Sequence, residues 1–212
     1  MKIIPGGILS IPGKAYNLSS QIKNLLNIYG TSIRRKDTIA TLKRTEHHNK
    51  TQTFNDFNKP FSGTDFFHKN FQPYGNKATG SDRATRSLLN MTMVGTYPHS
   101  TIHYPNILIA KGFLPGAENA TAALNNDGNI VFSWSDNSGT KNAKPNDKVI
   151  LVAYFPAIKK IIYTLHAATR AGCQALLQIN KMQGNAAETW IAFSSNDGKD
   201  AGNGVYAGRV HL

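Results

Sequence analysis

Cysteine is nearly missing from these 212 residues: Cys173 stands alone, so no disulfide can close within the chain. Stability must come from an apolar core, and a lone thiol suits a reducing compartment. No histidine neighbours Cys173 in sequence, and its place just ahead of an apolar strand predicts a small buried residue and not a nucleophile. Acids are also scarce. There are three glutamates (Glu46, Glu118, Glu188), and Asp127, Asp136, Asp147 and Asp197 sit in turn-forming contexts that explain them. The facing carboxylate pair of a glycosidase is therefore not expected. A Gly-x-Ser-x-Gly elbow, a phosphate loop and a dinucleotide fingerprint are absent as well.

Long apolar runs are equally wanting. Ile3-Ile4 is cut at once by Pro5-Gly6-Gly7, too short for the apolar region of a signal peptide, and no later stretch could span a membrane. The expectation is a soluble chain, cytoplasmic or part of an assembled particle. His99 and His103 are spaced for one face of a helix, but Pro98 and Pro105 favour extended backbone there. With no cysteine or acid beside His99 and His103, and His47-His48 only an adjacent pair, we expect no metal site, no cofactor and no catalytic residues.

What the sequence holds is β structure. Apolar residues make up 40% and charged residues 17%, with Asn, Thr, Ser and Gly filling the difference; that balance favours strands and turns over a helical bundle. Seven short runs read as strands: 120–124, 129–135, 148–155, 160–165, 174–179, 189–194 and 204–210. Turn signals separate them, including Asn126-Asp127-Gly128 and Asn196-Asp197-Gly198. Seven strands at this spacing predict an immunoglobulin-like or fibronectin type III-like sandwich over 116–212. The continuous apolar run from Val149 to Phe155 predicts a central strand covered on both faces. Trp134 is expected to meet Trp190 or Phe193 across the two sheets, in a sandwich core that also holds Phe132, Leu151 and Tyr206.

The remainder reads as a basic arm over 1–60 and a packing segment over 61–115. The net charge is +12, and residues 1–60 carry ten Lys/Arg against three Asp/Glu. Pro5 and Pro12 in a Gly-rich opening predict an extended arm, Ser19 to Gly30 a short helix, and 31–60 a linker. Lys14, Arg34, Arg35, Lys36, Lys43 and Arg44 are the candidate contacts to nucleic acid or another anionic partner. Between 54 and 74, the seven aromatics Phe54, Phe57, Phe61, Phe66, Phe67, Phe71 and Tyr74 suit burial against the sandwich better than base stacking, because Asp56 and Asp65 would repel phosphate. A helix is predicted over 78–94, capped by Ser81, and a strand over 107–110.

Certain motifs also carry a family likeness. They are Gly95-Thr96-Tyr97-Pro98, Thr101-Ile102-His103-Tyr104, Trp134-Ser135-Asp136-Asn137-Ser138-Gly139, Asp147-Lys148 and Tyr154-Phe155-Pro156. Trp190-Ile191-Ala192-Phe193, Asp197-Gly198-Lys199 and Gly204-Val205-Tyr206-Ala207-Gly208 complete the set. From about residue 85 onward the chain resembles an uncharacterised family of Bacteroidota proteins, known as a domain of unknown function. Upstream, Gly6-Gly7-Ile8-Leu9, Gly13-Lys14 and Gly30 to Arg35 echo the order of its opening. The resemblance implies no activity and no site residues. Three classes of function remain for comparison. The first is a non-enzymatic structural or binding protein that joins protein subunits, homo- or hetero-oligomeric, in a setting such as a virion or envelope-associated particle. The second is a nucleic-acid-binding protein using the basic arm. The third is a carbohydrate-binding module using Trp190 or the aromatics at 66–74.

Overall fold

A computed structural model describes residues 42–71, 79–91, 93–95, 101–180 and 184–212. All belong to one compact unit, Leu42–Leu212. The predicted opening arm and the helix expected over 19–30 lie outside the described residues.

The seven expected strands are present in two antiparallel sheets. After an antiparallel pair of two-residue strands, β1 (Met93–Val94) and β2 (Thr101–Ile102), the chain runs through β3 (Glu118–Leu124), β4 (Ile130–Ser135), β5 (Lys148–Phe155) and β6 (Lys160–Thr164). It then forms β7 (Gln174–Leu177), β8 (Ala186–Ser194) and β9 (Val205–His211). One sheet has the order β3-β4-β7, the other β6-β5-β8-β9. Alternation in β4 sends Ile130, Phe132 and Trp134 inward, where they meet Val149, Leu151, Ala153 and Phe155 of β5 and Ile191 and Phe193 of β8. Trp134 and Phe193 touch edge to face, their ring centroids 6.0 Å apart. The β3–β4 turn is closed by Asn125, whose Oδ1 accepts from the amides of Asp127 and Asn129, with Gly128 at φ 75°.

The other face of the four-stranded sheet is buried too, under helices. These are α1 (Leu42–Asn58), α2 (Phe66–Asn70) and α3 (Gly80–Met91), with a 3₁₀ turn at Lys59–Phe61. Phe54, Phe57, Phe61, Phe66, Phe67 and Phe71 form one cluster with Ala84 and Leu88. That cluster closes over Ile150, Val152, Tyr154, Trp190 and Ala192. The six phenylalanines are 1–5% exposed, as the burial reading requires; Tyr74 is outside the described residues. Every residue of β5 from Val149 to Phe155 is buried, because its two faces serve two cores.

Four local expectations need correction. Residues 42–58 are not linker but α1, anchored by Phe54 and Phe57. The expected strand at 107–110 is an irregular segment, with Ile107, Ile109 and Ala110 buried. It is held by amide bonds from Lys111 to the Asn70 carbonyl and from Gly204 to the Ala110 carbonyl. The cap of α3 is Thr79, two residues before Ser81: Thr79 Oγ1 accepts from the Asp82 amide and Asp82 Oδ2 accepts from the Thr79 amide. Gly80 follows it because a Cβ there would stand 2.5 Å from the Phe67 carbonyl. Cys173 is only half-buried, at φ 56° after the 3₁₀ turn Arg170–Gly172.

Candidate functional site

Placement of the singled-out residues follows strand parity. Phe132, Trp134, Leu151 and Phe193 lie between the sheets. Trp190 and Tyr206 lie on the opposite face of the four-stranded sheet, facing the helices, because Trp190 and Phe193 are an odd number of residues apart in β8. Of the basic candidates, Lys14, Arg34, Arg35 and Lys36 fall outside the described residues, while Lys43 and Arg44 occupy the first turn of α1. Trp190 is 0% exposed and Phe66, Phe67 and Phe71 are buried, so none offers a surface platform for a sugar. His48 and His103 are exposed, and among the described residues no group of three metal-ligating side chains occurs.

Sequence reasoning missed the most deeply buried charged constellation. Arg170 is fully buried at the end of the sandwich where the chain crosses between sheets. Its Nε donates to Asp147 Oδ2 at 3.1 Å, its Nη1 to Asn137 Oδ1 at 2.5 Å, and its Nη2 to the Pro115 carbonyl at 3.1 Å. The guanidinium lies 3.8 Å from the Phe193 ring centroid, and the Arg170 carbonyl accepts from Trp134 Nε1 at 2.7 Å. Asn137 passes the link on to the Gly116 carbonyl. Burial pulls the Arg170 guanidinium below its ordinary value and Asp147 opposes that, so it stays a cation. One side chain thus joins the entry to β3, the β4–β5 crossing and the β6–β7 crossing.

A second constellation lies under the helices. Glu188 is 2% exposed; its Oε2 accepts from the Tyr206 hydroxyl at 2.5 Å, and its Oε1 is 3.6 Å from Arg209 Nη1. Trp190 and Tyr206 pack edge to face, and Tyr104 packs against both Trp190 and Tyr154. Burial, with Tyr154 and Glu188 nearby, pushes the Tyr104 phenol up to about 12, and burial plus the Glu188 bond raises Tyr206 further. An unfolded tyrosine ionises near 10. The preference for neutral phenols therefore adds stability in full below about pH 10 and loses it as pH rises toward 12. Urea unfolding at pH 8 and at pH 11 should show the loss, and Tyr206→Phe should reduce it.

Beside Tyr104 opens a cleft of about 420 Å³. Phe57, Tyr104 and Tyr154 form its aromatic side, flanked by Ile102 and Pro156. Helix α1, which supplies Phe57, also lines the cleft with Asn49, Gln52, Thr53 and Asp56, which recur at helical spacing on the same face. Lys159 closes one end, its Nζ donating to Asp56 Oδ2 at 2.7 Å.

A family model for proteins of unknown function, DUF6266, matches residues 26–208. The chain belongs to the DUF6266 family. The family pattern thus begins well upstream of residue 85 and takes in α1 and the aromatic helices, so the helical layer is as much a part of DUF6266 as the sheets. No curated protein matches the chain.

Proposed function

We propose that this chain is a non-enzymatic binding and assembly protein, built on a fibronectin type III-like sandwich roofed by helices. The ladder orders β3-β4-β7 and β6-β5-β8-β9 support the sandwich reading. In a constant-type immunoglobulin domain the fourth strand extends the first sheet, whereas here β6 pairs with β5 in the second. The observation that carries the non-enzymatic reading is the closure of the buried charges. Among the described residues Asp147, Arg170 and Glu188 are 0–2% exposed and bonded to their own scaffold. A reacting group must instead face a substrate.

Assembly is supported by the outer face of the three-stranded sheet. Its central rows Thr121–Ser133–Gln174 and Ala123–Val131–Leu176 carry no charge in a chain of net charge +12, Glu118 entering only in the next row opposite Ser135, and Leu176 is 44% exposed. Like-charged copies meet there with the least repulsion. The register shift between Glu118 and Thr121, with Asn119 at φ 51°, blunts the adjacent edge against strand addition. The test is light scattering on the full chain: a concentration-dependent oligomer that Leu176→Lys dissociates is expected. A monomer at every concentration would sink the reading, and salt-sensitive retention of nucleic acid by that monomer would put the basic arm in its place. A truncation aimed at the arm must stop before Leu42, because a cut at residue 60 removes Phe54 and Phe57 from the core.

A further inference from the structure

The cleft between α1 and Tyr104 contributes nothing to the assembly reading, yet it has the make-up of a ligand site. Tyr154 is 4% exposed and lines the cleft, and among the described residues its hydroxyl has no hydrogen-bond partner. Tyr104, half-buried beside it with ring centroids 6.1 Å apart, also has a hydroxyl without a partner among those residues. Two phenols, held neutral by burial, thus stand as donors and acceptors at an aromatic wall. Asn49 and Gln52, on α1, add to the lining amides that both donate and accept. Among the described residues the cleft's charges are Asp56 and Lys159, which are bonded to each other, so none of those residues offers an unpaired cation to a phosphate or carboxylate.

We propose that this cleft binds a neutral sugar unit of a glycan. A pyranose offers adjacent hydroxyls that each donate and accept, matching amides and phenols, and apolar C–H faces that suit a tyrosine or phenylalanine wall. The volume, about 420 Å³, lies in the range of small-ligand pockets. A peptide fits less well: α1 lines the cleft with polar side chains in place of an apolar groove, and the bonded Asp56–Lys159 pair closes one end. This site is separate from the outer sheet face that carries the assembly reading, so either can fail alone.

The experiment is a titration of the isotope-labelled full chain with maltose, cellobiose, lactose and diacetylchitobiose at millimolar concentration, following amide resonances. The expected result is saturable shifts at residues 49–57 and 102–104 with at least one sugar. Tyr154→Phe removes only an oxygen that bonds nothing in the described protein, so the fold should be kept while affinity falls about tenfold, the worth of one buried hydrogen bond. Tyr104→Phe and Gln52→Ala should act in the same direction. No shift with any of the four sugars overturns the proposal, as does binding that all three substitutions leave unchanged. Shifts at the same residues with a neutral Gly-Ser peptide and none with sugars would replace it with peptide recognition.

Discussion

Replacing Arg170 by methionine should lower the stability of the chain by about 3–5 kcal/mol, seen as a fall in the urea midpoint at unchanged slope. The reason is what would be left behind. Asp147 is 0% exposed, and among the described residues its Oδ1 already lacks a partner, so loss of the guanidinium leaves a sealed carboxylate with, among those residues, the Lys144 amide alone on Oδ2. Asn137 Oδ1 and the Pro115 carbonyl lose their donor in the same step, and Phe193 loses its cation. Adding Asp147→Leu should restore much of the loss, because no uncompensated charge then remains. A single variant costing less than about 1 kcal/mol, the level of an exposed pair, would show that the site is not sealed as described.

Phe57→Ala should cost about 3–5 kcal/mol by leaving a cavity under α1. The ring is 2% exposed and touches Phe61, Tyr154 and Trp190 at centroid distances of 6.0, 5.0 and 6.3 Å. The two tryptophans make the outcome readable. Trp190 lies below Phe57, whereas Trp134 is between the sheets. In a Trp134→Phe background the remaining emission should shift to the red when Phe57 is truncated. In a Trp190→Phe background the emission of Trp134 should hardly move. Equal shifts in both would mean that the helical layer and the sandwich are not separately packed.

These two sites also mark where the sequence could be read and where it could not. Strand β4 was legible because Ile130, Phe132 and Trp134 alternate with half-buried partners, and the hairpin turns were legible through Asn and Gly. Helix α1 was not: it is polar along most of its length, with Phe54 and Phe57 as its buried anchors, so no apolar stripe announces it. The run Ile107–Ala110 signalled burial, and burial alone does not make a strand; its amides found loop carbonyls in place of a ladder. Arg170 had no acid near it in sequence, because Asp147 lies 23 residues away and Asn137 lies 33 away. The cleft was hidden for the same reason: Gln52, Tyr104 and Tyr154 come from three distant segments.

The double burial of β5 has a consequence for how the strand finds its place. Val149, Leu151, Ala153 and Phe155 face one core, Ile150, Val152 and Tyr154 the other. Apart from the Tyr154 hydroxyl both rows are apolar, so alternation alone does little to oppose a slip of one residue. Asp147 opposes it. It stands immediately before the strand, and such a slip would draw its carboxylate away from Arg170 and strand both charges without water. The ion pair thereby acts as an index mark for the ladder, setting Val152 opposite Trp190 and Tyr154 opposite Glu188. The stability-restored Asp147→Leu/Arg170→Met chain is where a shifted ladder should show, as doubled amide resonances along β5; a single set would assign the index to the turns instead.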